Sequence, residues 1–237
     1  MPGLRSLSFF FPAYNEEENV EAVVREAQAK LPRFADDVEI VVVDDGSRDR
    51  TGEIADRLAA EDPRVRVVHH SPNRGYGGAV RSGLATATKE HVFFTDGDQQ
   101  FDLDDLDRLI ARLDRADVVV GWREKRADPP KRLFIAWVYN TLIRALFLAP
   151  FRDVDCAFKI FRRSVFDRVP LAAVRSDSAF FSPELLLVLR ARGERIEQVP
   201  VRHFPRRYGR EKGATLRVIM RTVRDLLRLR LRLLLRG

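Results

Sequence analysis

The sequence has few of the features that would assign it to a secreted or membrane-spanning class. Its 237 residues include a single cysteine, Cys156, so no disulfide can form within the chain, which fits a reducing compartment. No run of about 18 apolar residues occurs, which argues against an ordinary membrane-spanning helix. Residues 1–8 lack the regions of a secretory signal, and we therefore expect none.

Two common nucleotide-binding signatures are missing as well. The glycine-rich residues 75–78 are not followed by the Gly-Lys-Ser/Thr of a Walker loop, and Val80 interrupts the Gly-x-Gly-x-x-Gly spacing. These glycines either approach a phosphate through backbone N–H groups at a helix N-terminus or allow close helix–sheet packing. The sequence leaves the two alternatives open.

The charge that is present is unevenly distributed. The chain carries a formal net charge of +7, with 45% hydrophobic and 32% charged residues, which is typical of a folded protein. Residues 202–237 contain twelve Lys and Arg against Glu211 and Asp225, so the body before them is mildly acidic. A basic tail on an acidic body predicts contact with an anionic surface, either lipid or nucleic acid.

Apolar runs alternate with helical patterns through the first half of the chain. Strands separated by helices predict right-handed crossovers and an α/β fold, a doubly wound, mostly parallel sheet with helices on both faces. The later segments predict two more strands and a C-terminal amphipathic helix at residues 215–235. Residues 133–148 are apolar, and a core helix is favoured there over a membrane-interface helix. The predicted strands are residues 7–11, 38–43, 64–69, 91–95, 117–121, 158–161 and 196–201.

Polar residues interrupt the apolar runs where four of these strands end. In a doubly wound sheet, ligands bind beyond the carboxyl ends of the strands, so this edge is the predicted site. The residues delivered there are Pro12, Ala13, Tyr14, Asn15, Glu16, Asp44, Asp45, Asp96, Gly97, Asp98, Gly121 and Arg123.

The sequence Asp96-Gly97-Asp98 has the strongest chemical meaning among them. Carboxylates two residues apart on an extended chain lie on the same side, an arrangement that suits Mg2+ or Mn2+ bound to phosphate oxygens. Gln100 continues the spacing and offers a neutral oxygen. The alternative is a solvated acidic turn, since Asp and Gly are ordinary turn residues.

At this point the motifs resemble those of the family 2 glycosyltransferases, which share the GT-A fold. More narrowly, they resemble the dolichol-phosphate mannosyltransferase and polyprenyl-phosphate glycosyltransferase branch. The resemblance covers residues 6 to about 212, and the processive Gln-x-x-Arg-Trp motif is missing. The matching segments are Phe-Pro-Ala-Tyr-Asn-Glu-Glu (11–17), Val-Asp-Asp-Gly-Ser (43–47), Asn-Arg-Gly-Tyr-Gly-Gly-Ala (73–79), Thr-Asp-Gly-Asp-Gln-Gln (95–100), Gly-Trp-Arg (121–123) and Asp-Val-Asp-Cys-Ala-Phe-Lys (153–159).

The resemblance implies a role for each matching residue. The divalent cation, Mg2+ or Mn2+, is expected on Asp96, Asp98 and Gln100, and the catalytic residues are expected to be Asp98, Arg123 and Asp155. Arg123 would meet a phosphate. Asp155 is either a general base or a structural carboxylate paired with Lys159 or Arg162. The residues expected to bind the nucleotide-sugar are Pro12, Ala13, Tyr14, Glu16, Asp44, Asp45, Asp96 and Lys212.

The activity implied is inverting transfer of one hexose, mannose or glucose, from a GDP- or UDP-linked donor to polyprenyl phosphate. Alternatives are a glycolipid or soluble hydroxyl acceptor, or a non-catalytic adaptor that binds lipid or nucleic acid. We expect a catalytic domain at residues 1–212 and a basic amphipathic helix at 213–237. With few stacking aromatics in the tail, an anionic membrane surface is favoured over nucleic acid, and a cytoplasmic location on the inner membrane face is expected.

Overall fold

Seven strands form one sheet in the part of the chain that the structure describes. The structure, a computed structural model, describes residues 3–206, 208 and 216–234. Each strand predicted from the apolar runs is present, and β1 and β2 extend further than the runs suggested. The strands are β1 (Leu4–Ala13), β2 (Ala35–Asp44), β3 (Val65–His69), β4 (His91–Phe94), β5 (Val118–Arg123), β6 (Lys159–Arg162) and β7 (Ile196–Val201).

The order of the strands is β3-β2-β1-β4-β6-β5-β7, and all neighbours are parallel except at β6. β6 runs antiparallel to both β4 and β5, and Lys159 at its start pairs with Phe94 and Val120 near their ends. The mostly parallel sheet is therefore confirmed. The reversal also brings the start of β6 to the edge where the parallel strands end.

Eight helices in the described residues connect and cover the strands. The spacing of Leu103, Leu106, Leu109, Ile110 and Leu113 predicts a helix over residues 103–113. The observed α-helix starts later, because the Asp102 carboxylate accepts the Asp104 N–H at 3.0 Å and a 3-10 turn forms first, and it ends at Ile110. The helices are α1 (Val20–Lys30), α2 (Thr51–Glu61), α3 (Gly75–Thr86), α4 (Leu106–Ile110), α5 (Pro130–Phe147), α6 (Val165–Arg168), α7 (Phe181–Ala191) and α8 (Leu216–Leu234).

The centre of the sheet is packed with phenylalanine on both faces. Phe9 and Phe10 are adjacent in β1, point to opposite faces and are fully buried, so the sheet is covered on both sides. The ring centroids of Phe10 and Phe94 lie 5.2 Å apart, and those of Phe9 and Phe93 lie 5.5 Å apart. This core fixes the ends of β1 and β4, where the acidic residues follow.

The glycines at the start of α3 serve close packing. A methyl group on Gly77 would lie 2.7 Å from the backbone carbon of Asp177, and the Gly77 N–H already donates to the Asp177 carbonyl at 3.2 Å. A methyl group on Gly83, further along α3, would lie 2.1 Å from the Phe10 ring. Of the two alternatives for residues 75–78, the structure therefore favours helix packing over a phosphate loop.

Helix α5 lies on the surface, so the predicted core position is wrong. Within α5, Asn140 and Ile143 are the buried residues, because the segment is apolar around most of its circumference and packs along a narrow stripe. Large apolar side chains remain exposed, with Phe134 and Trp137 more than 60% accessible. The exposed set is Leu133, Phe134, Trp137, Val138 and Leu142.

Helix α8 is attached to the body by part of its apolar surface. Leu226 and Leu229 are buried, and Arg232 pairs with the buried Glu184 of α7. Four other apolar side chains of this helix are exposed: Met220, Val223, Leu227 and Leu231. None of the helices described is both long enough and apolar enough to cross a membrane.

Buried His91, at the start of β4, makes stability depend on pH. Neither ring nitrogen has a hydrogen-bond partner among the described residues, and burial lowers the pKa of the imidazole. In the unfolded chain the pKa of His91 is about 6.5, so below that pH the unfolded chain binds more protons than the folded chain. The free energy of unfolding therefore falls as the pH falls through that value. We expect the free energy of unfolding of His91→Leu to fall less than that of the wild type between pH 7 and 5.5. Urea unfolding at several pH values measures this, and equal losses in both proteins would contradict it.

Candidate active site

A pocket of about 420 Å³ opens beyond the ends of β1, β2 and β3. Backbone and polar side chains form its wall, which suits a nucleoside better than an apolar ligand. Two of the residues predicted to bind the nucleotide, Tyr14 and Asp44, are among those that line it. The others are Gly46, Ser47, Arg48, His69, His70, Ser71, Pro72 and Asn73.

Asp44, the last residue of β2, presents a fixed carboxylate to this pocket. Its Oδ1 accepts the Ser47 N–H at 3.0 Å, and its Oδ2 lies 3.0 Å from Nδ1 of His69. The residue is 5% exposed, so its carboxylate is an acceptor that only a ligand in the pocket can reach easily. A carboxylate held in this way can accept a hydrogen bond from an N–H of a base or from a ribose hydroxyl.

Asp45 takes a different position from its neighbour. Its Oδ1 lies 2.6 Å from Nδ1 of the buried His70 and accepts the Arg74 N–H at 2.8 Å. The Asn73 amide donates to the Asp45 carbonyl at 2.6 Å. Asp45 therefore fixes the loop between β3 and α3, and it does not line the pocket.

The residues after β1 connect the pocket to the acidic turn. Ala13 is buried, and its carbonyl accepts the Asp45 N–H at 2.8 Å. The Pro12 carbonyl lies against Gly97, since a methyl group there would be 3.1 Å away. Glu16 pairs with Arg206 at 2.5 Å, so it faces the segment that follows β7.

Asp96 and Asp98 form a poorly solvated pair after β4. The Tyr76 hydroxyl, from the start of α3, donates to Asp96 Oδ1 at 3.1 Å. Burial, and then repulsion from Asp98, raises the pKa of Asp96, and burial likewise raises the pKa of Asp98. Between them, Gly97 is required, because a methyl group would lie 2.8 Å from the Phe11 ring. Two carboxylates held close in this way are suited to sharing a cation.

Gln100 and Arg206 tie the segment after β7 to the same turn. The Gln100 N–H donates to Asp98 Oδ1 at 3.2 Å, and its side-chain amide donates to the Phe204 carbonyl at 3.0 Å. Arg206 Nη1 lies 3.6 Å from Asp98 Oδ2. Gln100 thus keeps an amide oxygen for a ligand, while its nitrogen holds the neighbouring segment.

A divalent cation fits this turn as one partner of a larger complex. No group of three or more His, Cys, Asp or Glu in the described ranges is arranged to hold a metal ion. The oxygens of Asp96 and Asp98 are nevertheless the hard ligands that Mg2+ and Mn2+ take, and Mg2+ sites in proteins often use one or two carboxylates plus substrate phosphates. A cation on these two carboxylates would need further oxygens, such as those of a bound phosphate, to complete its coordination sphere.

Arg123, at the end of β5, is bound by a carboxylate that the sequence did not single out. Its Nε and Nη2 donate to Asp153 at 2.6 and 2.8 Å, and both side chains are at most 10% exposed. Burial opposes ionisation of Asp153, but the hydrogen bonds from Arg123 outweigh it and hold its pKa below the usual value. Nη1 makes no hydrogen bond within the described chain and is the donor left for a ligand.

Asp155 lies in the same turn with no hydrogen-bond partner among described residues. Burial, and then Asp153, raises its pKa to about 6. The predicted structural partners are engaged elsewhere, since Arg162 donates to the Leu113 carbonyl and Lys159 donates to Ser182 Oγ at 2.7 Å. A carboxylate with this pKa near neutrality is suited to accept a proton.

Several residues of the site were missed from sequence. The signals used for the other site residues could have found His69 and Asp153. His69 is the last residue of β3, and Asp153 is the first residue of a matched motif. Tyr76 lies inside the matched segment 73–79, but no strand end predicts that its hydroxyl reaches Asp96 from a helix start. Arg206 carries no signal, since it reaches Asp98 from a segment far along the chain. Lys212, predicted to lie near the nucleotide, and the proposed domain boundary there are outside the described residues.

Curated proteins with similar sequences provide independent evidence about this chain. The polyprenol monophosphomannose synthase of Mycolicibacterium smegmatis is 32% identical over 88% of this chain and 82% of its own. The glycosyltransferase AglD of Haloferax volcanii is 34% identical over 84% of this chain, and a dolichyl-phosphate beta-glucosyltransferase of Trichomonas vaginalis is 30% identical over 82%. The chain spans 33% and 62% of those last two proteins.

The fold is shared with solved structures. Glucosyl-3-phosphoglycerate synthase from Mycobacterium tuberculosis, in complex with Mn2+, uridine-diphosphate and phosphoglyceric acid, superposes with a TM-score of 0.71 at 20% identity, covering 97% of this chain and 84% of that one. The sheet is of the GT-A type, as predicted. The sequence model described as Glycosyl transferase family 2 matches residues 8–169, and the chain belongs to that family.

Proposed function

We propose that the protein transfers one hexose, mannose or glucose, from a nucleotide-diphosphate sugar to a polyprenyl phosphate at a membrane surface, with inversion at the anomeric carbon. The observation that carries the proposal is that a nucleoside-sized pocket and the Asp96–Asp98 pair both lie beyond strand ends at the same edge of the sheet. Relatives named for polyprenyl- or dolichyl-phosphate acceptors support the choice of acceptor.

In the proposed complex, Tyr14 and Asp44 bind the nucleoside, with Pro12, Ala13 and Asp45 supporting the loops around it. Asp96, Asp98 and Gln100 hold Mg2+ or Mn2+, which stabilises the charge that develops on the leaving diphosphate. A solved structure of the same fold with Mn2+ and uridine-diphosphate supports this class of ion.

The acceptor side is assigned to the turn around Asp153. A phosphate acceptor is already ionised at neutral pH, so its attack needs orientation and no strong base. Arg123 supplies that orientation through Nη1, while Asp153 fixes the guanidinium plane. Glu16 and Lys212 are proposed to contact the donor from the β1 and post-β7 segments.

A second acceptor class is favoured by one observation. Asp155 has a pKa of about 6 and no hydrogen-bond partner among the described residues, which are the properties of a general base for a hydroxyl acceptor. In that case the acceptor is a glycolipid or soluble hydroxyl compound, and Asp155 takes its proton.

Release of nucleoside diphosphate from a panel of nucleotide-sugars tests the proposal and separates the two acceptor classes. We expect release from one GDP- or UDP-linked hexose that requires both Mg2+ or Mn2+ and polyprenyl phosphate. Release that requires a hydroxyl acceptor instead would move the function to the second class. No release from any donor by folded protein would refute the transferase.

The membrane contact is assigned to the exposed surfaces of α5 and α8. On α8, Arg224 and Arg228 are exposed beside Leu227 and Leu231, a combination that suits anionic headgroups and the acyl boundary. On α5, Phe134 and Trp137 are exposed and stack with ring centroids 6.1 Å apart. The protein is thus proposed to lie on a membrane surface from the cytoplasmic side.

We expect Leu227→Glu/Leu231→Glu to lower the affinity for phosphatidylglycerol vesicles by about tenfold or more, since two apolar contacts become repulsive charges. Co-sedimentation at low and high salt measures the loss. The control is Ala60→Glu/Ala111→Glu, which adds the same charge at exposed positions of the body. Equal loss in both variants would mean that net charge alone, and not α8, determines binding.

A further inference from the structure

His69, the last residue of β3, bridges two carboxylates beside the nucleoside pocket. Its Nδ1 lies 3.0 Å from Asp44 Oδ2, and its Nε2 lies 3.0 Å from Asp56 Oδ1 on α2. The side chain of Asp44 is 8% exposed and that of Asp56 is 62% exposed. Nδ1 of the imidazole therefore faces the buried Asp44 carboxylate of the pocket, and Nε2 faces the solvent-exposed Asp56 carboxylate.

The position of Asp44 depends on few contacts. Its Oδ1 accepts the Ser47 N–H at 3.0 Å, and its Oδ2 has His69 as the hydrogen-bond partner among the described residues. Behind it, a methyl group on Gly52 of α2 would lie 2.9 Å from Oδ2, so the carboxylate occupies a space that a side chain at residue 52 would fill. Without His69, Oδ2 would lose its hydrogen-bond partner, and the Ser47 N–H on Oδ1 would be the remaining hydrogen bond to this carboxylate among the described residues.

We propose that His69 is a positioning residue for nucleotide binding: its imidazole, oriented by Asp56, holds the Asp44 carboxylate in the direction that accepts a hydrogen bond from the nucleoside. The inference rests on the proposed function, because it assigns a task to the pocket that the donor would fill. His69 acts through Asp44, and the reacting atoms lie at the separate Asp96–Asp98 turn.

The bridge also makes nucleotide binding depend on pH. The titratable groups that face His69 within the described residues are Asp44 from β2 and Asp56 from α2, and Arg48 shares the pocket wall. The Asp56 carboxylate raises the pKa of His69 above its usual value, and Asp44 adds to this against the opposing effect of burial. Below that pKa both ring nitrogens donate. Above that pKa one ring nitrogen has lost its proton, and its lone pair faces a carboxylate. The bridge between the two carboxylates is then weaker.

Titration calorimetry with UDP and with GDP, each with Mn2+, tests the inference. For whichever nucleotide binds, we expect His69→Leu to raise Kd about tenfold, the effect of losing one hydrogen bond to a charged group. His69→Asn should stay within about threefold of the wild type, because its amide nitrogen is as many bonds from Cα as Nδ1 and can donate to Asp44. Glu53→Gln, an exposed change on the same helix as Asp56, is the matched control.

The pH dependence separates positioning from a general structural effect. The wild-type Kd should rise with pH through the pKa of His69, Asp56→Asn should move that rise to lower pH, and His69→Asn should show no rise. If wild type binds nucleotide and His69→Leu binds it equally well, the inference alone is overturned. If neither nucleotide binds the wild type, the proposed function fails, and this inference fails with it.

Discussion

Replacing Asp98 with asparagine is expected to lower the rate of sugar transfer by about 10³-fold, the size of effect seen when one preorganised electrostatic contact to a transition state is removed. The change keeps the shape of the side chain and removes one of the two charges that would hold the cation on the diphosphate. Because Asp96 remains, some cation binding survives, and the cation concentration needed for half-maximal activity should rise. Initial rates of nucleoside diphosphate release across a Mn2+ series measure both effects.

The same variant should not be less stable than the wild type. Burial raises the pKa of Asp98, so its ionised form is less favourable in the folded chain than in the unfolded chain at neutral pH. Removing that charge relieves a cost, so a loss of activity is expected without a loss of stability. Asp107→Asn, at an exposed position of α4, is the control and should leave activity unchanged. If Asp98→Asn retained more than about a tenth of the activity, the role of the pair in holding the cation would be wrong.

Replacing Arg123 with methionine is expected to destabilise the protein by up to about 3–5 kcal/mol, because it removes both side-chain hydrogen bonds to the buried Asp153 carboxylate and leaves only the weaker contact with Arg126 Nη1 at 3.8 Å among the described ion pairs. The second substitution, Asp153→Leu, removes the buried carboxylate that has lost Arg123, so the double variant should recover most of the stability. Urea unfolding measures both steps. Arg115→Met, which breaks an exposed pair with Asp114 at 3.5 Å, is the control and should cost less than about 1 kcal/mol.

Activity then separates the two roles of Arg123. If its Nη1 meets the acceptor phosphate, the double variant is stable yet transfers slowly, with a raised KM for polyprenyl phosphate. A double variant with both stability and normal KM would show that Arg123 only neutralises Asp153. In that case the phosphate contact must come from another cation.

The sheet was predictable because each strand is a short apolar run bounded by polar residues, and this pattern depends on local sequence alone. Asp96 and Asp98 were predictable for the same reason, since the end of a buried strand at Phe94 fixes where they lie. The lengths of the helices were less predictable. The helix expected over residues 103–113 was shortened by a side chain, Asp102, that competes with the backbone.

Contacts between distant segments were not predictable from periodicity. The pairing of Arg123 with Asp153 and the approach of Arg206 to Asp98 join residues far apart in sequence, and no local pattern encodes which acid meets which base. The exposure of α5 was mispredicted because hydrophobicity alone does not distinguish a core helix from one whose apolar surface faces outward.

The reversed direction of β6 has a consequence for how acceptors can change in evolution. β5 ends at Arg123 and β6 begins at Lys159 at the same edge of the sheet, so residues 124–158 leave the site and return to it. This excursion includes α5, Asp153 and Asp155. We expect that relatives can exchange this segment as one unit while the nucleotide-binding residues on β1, β2 and β3 stay unchanged. A chimaera that carries another relative's segment should therefore keep its donor and adopt a new acceptor.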